Sequence, residues 1–201
     1  MKRLVLFLTL VALACAAPSV QAQQKYSLGF GNLALKVDYI RFMDGSLEDL
    51  KLENGVYVGV EGYVSVFHPS LYAGVETGWA RTEGDFRVFL TRLDLTLDYV
   101  PIEFNAKYVF DIDPCLKLDI GAGLSLNYIN LEVERARLSA SEDDWLFGGQ
   151  FFADLNYTFP NNLFIGANMK FQLTEDYEPR GIRTDVNANN FRVGGQVGYS
   201  F

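Results

Sequence analysis

The chain has 201 residues, enough for one domain or at most two small ones. It carries 17 Lys+Arg against 25 Asp+Glu, and its net charge of −8 excludes the basic face that nucleic-acid binding needs. One His and two Cys exclude a Cys/His zinc site and a disulfide framework, and 49% hydrophobic residues exclude a disordered class.

Residues 1–22 read as an address. Lys2 and Arg3 form a positive start, and Leu4 to Ala17 is an apolar stretch of 14 residues, too short for a membrane helix. Val20-Gln21-Ala22 then offers small residues where a signal peptidase reads them. The expectation is a cleavable secretory signal over 1–22 and one mature domain over 23–201. The mature chain then has 15 basic and 25 acidic residues, a net charge of −10. Cys15 does not fit a lipid-anchor motif well, because Leu13 stands one place too close to it. Cys115 remains as a single thiol, read as an incidental turn residue.

From residue 26 onward the dominant period is two. The first apolar row is Leu33, Leu35, Val37 and Tyr39. Next come Val56, Val58 and Val60, then Leu71, Ala73, Val75, Thr77 and Trp79. The fourth row is Leu93, Leu95, Leu97 and Tyr99; beyond Val100-Pro101-Ile102 it continues in the other phase as Ile102, Phe104, Ala106 and Tyr108. One extra residue flips faces in this way, so a β-bulge is expected at Pro101. Leu116 to Tyr128, Trp145 to Phe159, Leu163 to Leu173 and Phe191 to Phe201 supply four more rows. The connections alternate in length. Short ones stand at His68-Pro69-Ser70, Asp111 to Cys115 and Pro160-Asn161-Asn162. Long ones stand at about 42–54, 81–91, 132–143 and 175–188. Eight strands with short turns at one end and long loops at the other predict an all-β, eight-stranded, antiparallel, up-and-down transmembrane β-barrel.

Alternation alone does not say which face is inside. Two features place the apolar rows outward. The polar rows are rich in glycine, as at Gly59, Gly74, Gly78, Gly121 and Gly198, which suits a narrow interior. Trp79, Tyr99, Tyr128, Trp145 and Tyr157 stand near the ends of apolar rows, where headgroup-level aromatics belong.

The chain closes on Phe201, with Tyr199 and Val197 on the same face. This ending resembles the C-terminal pattern of outer-membrane barrels. The mature chain resembles the small outer-membrane β-barrel family, which includes the OmpA-type transmembrane domain and the OmpX, OmpW and porin-like types. The resemblance implies a Gram-negative-type outer membrane, with both termini and the short turns in the periplasm and the long loops outside. It implies Val197, Tyr199 and Phe201 as the signal read by the barrel-assembly machinery. It implies outer-membrane lipid and lipopolysaccharide as surroundings.

The residues expected to line the lumen are Lys36, Asp38, Glu61, Glu76, Asp94, Asp98, Glu103, Lys107, Lys117, Asp119, Asp154, Lys170 and Arg192, eight acids and five bases. Mixed signs in a narrow tube predict ion pairs that fill and stiffen it. The functional alternative is a small passage for ions that mildly favours cations. No cofactor or metal site is expected. The leading reading is a structural or porin-like barrel without enzyme activity. A second is adhesion or partner binding through the four long loops. A third is a lipid A-modifying enzyme, on the superficial His-x-Ser match of His68-Pro69-Ser70; the expected following Asn is Leu71, and the turn lies at the wrong end.

Overall fold

The computed structural model describes residues 30–49, 51–88, 91–135, 138–177 and 186–201, so the predicted signal segment lies outside the described residues. The barrel strands are β1 (Gly31–Phe42), β2 (Asn54–Val66), β3 (His68–Val88), β4 (Thr91–Asp111), β5 (Leu116–Arg135), β6 (Leu138–Thr158), β7 (Leu163–Thr174) and β10 (Asn190–Ser200). A short helix, α1 (Gly45–Asp49), sits between β1 and β2. A minimal hairpin of β8 (Asp176–Tyr177) and β9 (Val186–Asn187) precedes β10. Each barrel strand pairs antiparallel with its neighbours, and β1 pairs with β10 to close the sheet.

The register sets the width of the tube. The paired row Val64–Ala73–Ala106–Ala122–Phe151–Phe171–Phe191–Arg41 returns to β2 at Asn54, ten positions from its start. That stagger over eight strands tilts them by about 40° and leaves an interior just wide enough for side chains.

Burial along each strand is inverted relative to a soluble barrel. Leu35, Val58, Phe104 and Phe151 are 61%, 50%, 56% and 65% exposed, whereas their neighbours Lys36, Tyr57, Glu103 and Gln150 are at most 1% exposed. An apolar wall of this extent needs lipid around it. Aromatic rings close the wall at both ends. Tyr39, Trp79, Tyr128 and Trp145 stand toward the hairpin end, and Tyr108, Phe110, Tyr157 and Tyr199 toward the turn end. Tyr128 packs on Trp145 at 5.3 Å and Tyr108 on Phe110 at 4.7 Å between ring centroids. Inside, glycines make room for rings. A Cβ on Gly78 would lie 2.5 Å from the Tyr57 ring and from the Val58 carbonyl, so Tyr57 lies flat over a bare patch of wall.

Three sequence expectations are corrected. There is no bulge at Pro101: the offset that pairs Thr77 with Ile102 also pairs Ala80 with Tyr99, and β4–β5 pairing runs unbroken from Asp94 to Asp111. Leu95, Leu97 and Tyr99 face the interior with Glu103, Asn105 and Lys107, all at odd positions. The strand keeps its phase, and the chemistry of the lumen changes along it. The register shift lies instead at Ser65/Val66, where the chain turns through Phe67 at φ 59° and His68 already starts β3. Finally, the described residues of the expected loops, 81–88, 91, 132–135 and 138–143, are strand. β3–β6 run for 20 or 21 residues and extend past the girdle as two long hairpins.

Candidate functional site

The lumen is built in layers. At the turn end a cavity of about 30 Å³, room for roughly one water, is lined by Tyr72, Lys117, Asp119 and Asn156 among others. Above it, Lys107 meets Asp119 at 2.8 Å and Glu61 at 3.9 Å, with its ammonium 4.0 Å from the centre of the Tyr63 ring. Lys36 meets Glu61 at 2.6 Å and stands 3.9 Å from Asp154.

The next layer is an opposed pair of charge rows. Glu61, Glu76 and Glu103 are direct cross-strand neighbours on β2, β3 and β4. Like charges so placed repel. They are answered by Lys36 on the adjoining β1 and by the neighbours Lys170 and Arg192 on β7 and β10. Glu76 is the hub. It accepts from Lys170 at 2.6 Å, Lys36 at 3.2 Å, Arg192 at 3.5 Å and the Tyr57 hydroxyl at 3.2 Å. Glu103 accepts from Lys170 and Arg192. The Arg192 guanidinium also lies 4.4 Å from the centre of the Tyr57 ring. None of Lys36, Glu61, Glu76, Glu103, Lys107, Asp154, Lys170 and Arg192 is more than 4% exposed.

A neutral polar layer follows. The Tyr99 hydroxyl lies 2.8 Å from Asn127 Oδ1 and 2.7 Å from Gln172 Oε1. Gln172 Nε2 donates to Ser125 Oγ at 2.7 Å, and Asn190 Nδ2 donates to Gln172 Oε1 at 3.2 Å. An apolar cap then closes the hairpin end: Ile40, Phe42, Leu95, Leu97, Leu146 and Ala188, together with Leu47 and Leu52 folded in from the β1–β2 connection. That connection is tied down by Met43 N to Asn189 O at 2.8 Å and by Asn187 N to Asp44 Oδ2 at 3.1 Å. The sequence pattern conceals the cap and the amide layer, because the leucine row of β4 reads as lipid-facing.

The structure places ten of the residues expected to line the lumen inside it, buried: Lys36, Asp38, Glu61, Glu76, Glu103, Lys107, Asp119, Asp154, Lys170 and Arg192. Lys117 stands half-buried at the turn-end cavity. Asp98 is a correction. It lies on the outer face, where it accepts from Arg81 Nε and Nη2 at 2.8 Å each and from Trp79 Nε1 at 3.0 Å. Its even position opposes the odd, inward row of β4. Asp94 shares that even row, and its side chain lies outside the described set. Val197, Tyr199 and Phe201 lie on the outer wall, and Phe201 exchanges backbone hydrogen bonds of 2.9 Å with Gly31. His68, the first residue of β3, takes the backbone N–H of Ser70 on Nδ1 at 3.1 Å and stacks on Tyr108. Cys115 is a free thiol in the β4–β5 turn.

Beyond the girdle, β3–β6 continue as a four-stranded sheet. β2 pairs with β3 only as far as Arg81, and β7 with β6 only as far as Gly148. Nine residues of β3 lie past Trp79, which carries the sheet about 20 Å beyond the apolar wall. On the β6 edge, two carboxylates take up the outward amides. Glu175 Oε1 accepts from Phe147 N at 2.8 Å, and Asp144 Oδ1 accepts from Trp145 N at 2.7 Å. Charged groups at a sheet edge discourage unspecific strand pairing.

A closed eight-stranded barrel with a girdled apolar wall and a packed polar lumen is the fold of the small outer-membrane β-barrel proteins. No family model and no curated protein matches the chain. Solved structures do. Neisserial surface protein A superposes with a TM-score of 0.58 at 16% identity, over 85% of this chain and 97% of that one. The attachment invasion locus protein of Yersinia pestis gives 0.52 at 16%, over 85% and 99%. Outer membrane protein OprG of Pseudomonas aeruginosa gives 0.54 at 11%, over 86% and 98%. At these identities the likeness is one of fold.

Proposed function

We propose that this protein is a closed, non-enzymatic outer-membrane barrel whose working surface is the sheet projecting from it. One observation carries the reading. The lumen is filled from the Glu61 layer to the Leu52 cap by side chains that are almost fully buried, while β3–β6 reach about 20 Å past the membrane wall. A tube plugged by ion pairs and then by leucines stiffens the sheet it supports. It offers no route for a hydrated ion, so the porin-like reading has less support than the structural one. The projecting end faces outward and the short turns face the periplasm, as the secretory signal and the C-terminal pattern imply.

The chemistry of the sheet indicates the kind of partner. Segments 81–98 and 132–144 hold nine acidic and five basic residues. A cationic or mixed-charge protein surface fits them better than a polyanion. The Yersinia pestis attachment invasion locus protein, which shares the fold at 14% identity, has been solved with a heparin analogue, sucrose octasulfate. The acidic excess here argues against a sulfated ligand for this chain.

The test is to shorten both hairpins at existing cross-strand pairs. Residues 84–95 are replaced by a two-residue turn joining Glu83 to Thr96, and residues 133–140 by one joining Glu132 to Ser141. Adherence to cultured cells of bacteria displaying the protein is then compared between full and shortened forms. The reading expects adherence to fall to the level of bacteria lacking the protein while the barrel keeps its heat-modifiable gel mobility. Unchanged adherence with an intact barrel contradicts it.

A further inference from the structure

The charges of the lumen do not balance where they stand, and the imbalance has a location. In the upper layer Glu76 and Glu103 pair with Lys170 and Arg192, and Asp38, buried on β1, adds a third acid. In the lower layer Glu61, Asp119 and Asp154 face only Lys36 and Lys107. Six buried acids thus face four bases, and in the lower layer one negative charge is left over at the depth of the hydrocarbon wall, where an uncompensated charge is costly.

The surplus falls at Asp154. It is fully buried, and neither of its oxygens has a hydrogen-bond partner among the described residues. Its closest ammonium, Lys36, is 3.9 Å away and is already drawn to Glu61 at 2.6 Å. Asp119 stands directly opposite it on β5. Two more buried oxygens in the same layer lack partners among the described residues, Tyr63 Oη and Gln196 Oε1. Both are tied to this layer by contact. Lys107 sits over the Tyr63 ring, and Gln196 donates to Asn156 Oδ1 at 2.6 Å while Asn156 donates to Asp119 Oδ2 at 3.2 Å. The turn-end cavity opens on the same Asp119 and Asn156.

We propose that the lower lumen layer binds one monovalent cation at Asp154, an alkali ion or a proton, taken up through the turn-end cavity. A buried carboxylate without a hydrogen-bond partner, with two further orphaned oxygens in its layer, is the environment that such a charge relieves. Among the described residues no three His, Cys, Asp or Glu side chains converge as a metal site, and the single surplus charge of this layer calls for a single compensating one. Lys117 at the cavity mouth is half-buried, so water screens its charge from the layer above. Of the other buried charges, Glu76 is engaged by three bases, Lys170 by Glu76 and Glu103, and Arg192 by the same two acids, while Asp38 on β1 is a second surplus acid whose Oδ1 has no hydrogen-bond partner among the described residues. This inference does not depend on what the projecting sheet binds.

The test compares wild type with Asp154→Asn as folded full chains in detergent. Melting is followed in sodium, potassium or N-methyl-D-glucamine chloride at equal ionic strength, and in a second series from pH 5 to pH 8 in the organic cation alone. If an alkali ion binds, the wild type melts about 5 °C higher in sodium or potassium near saturation than in the organic cation, and Asp154→Asn shows no difference. If a proton binds, the wild type responds to pH with no alkali dependence, and Asp154→Asn flattens the response. Glu61→Gln removes the same surplus charge and is expected to flatten whichever dependence is seen, which covers the case that Asp154→Asn fails to fold. Equal responses in wild type and the folded variants, or no response to either series in the wild type, overturn the proposal.

Discussion

Glu76 is the residue whose loss the lumen tolerates least. Its carboxylate accepts from three cations and a tyrosine hydroxyl, and it is completely buried. Glu76→Ala strips Lys36, Lys170 and Arg192 of a shared acceptor, and it leaves Glu103 to hold both Lys170 and Arg192. Breaking a buried ion pair from one side costs about 3–5 kcal/mol, because the abandoned charge stays desolvated. The expected loss is in that range, a large share of the roughly 5–15 kcal/mol that holds a typical domain together. Removing a cation as well, in Glu76→Gln with Lys170→Met, restores the charge balance and is expected to recover about 1–3 kcal/mol. Urea titrations of the barrel in lipid vesicles measure both. The two tryptophans, Trp79 and Trp145, stand in the girdle and report unfolding by fluorescence, with gel mobility as a second probe. A loss below about 1 kcal/mol for Glu76→Ala refutes the view that this carboxylate organises the lumen.

Other outcomes follow from the same packing. Asp98→Ala on the outer face breaks a partly exposed pair with Arg81 and is expected to cost under about 1 kcal/mol in the same titration, far less than Glu103→Ala. Gly78→Ala drives a methyl into the Tyr57 ring and the Val58 carbonyl, 2.5 Å away, with an expected loss of about 1–3 kcal/mol. Leu52→Ala empties part of the apolar cap, where Leu52 is fully buried, and is expected to cost about 2–5 kcal/mol and to speed deuterium exchange at Tyr99 and Asn190 beneath it.

The barrel was legible in the sequence because a lipid-facing row and a lumen-facing row differ at almost every position. Leu35 beside Lys36 and Phe151 beside Phe152 and Asp154 show how far that contrast holds and where it weakens. On β4 it fails. Odd positions carry Leu95, Leu97, Tyr99, Pro101, Glu103, Asn105 and Lys107 down one face, so the same face is apolar under the cap and charged below it. A period-two reading assumes that one face keeps one chemistry, and it therefore invented a bulge at Pro101 and put Asp98 inside. The long hairpins were hidden for a related reason. Glu83, Asp85 and Arg87 look like a loop because strands that leave the membrane no longer need an apolar face. The charged lumen residues were found from composition and parity. Their division into layers, with more acids than bases to hold them, depends on cross-strand partners such as Glu61–Glu76–Glu103, which only the register reveals.

The proposed function stands on a lumen closed to ions. Recording current from the mature chain, folded and inserted in a planar bilayer, tests it most directly. A packed Glu76 layer beneath a leucine cap predicts a silent membrane, with gel mobility showing that the inserted protein is folded. Stable unitary currents with a cation preference that weakens when Glu76 and Glu103 are neutralised would contradict it and return the function to the interior of the barrel.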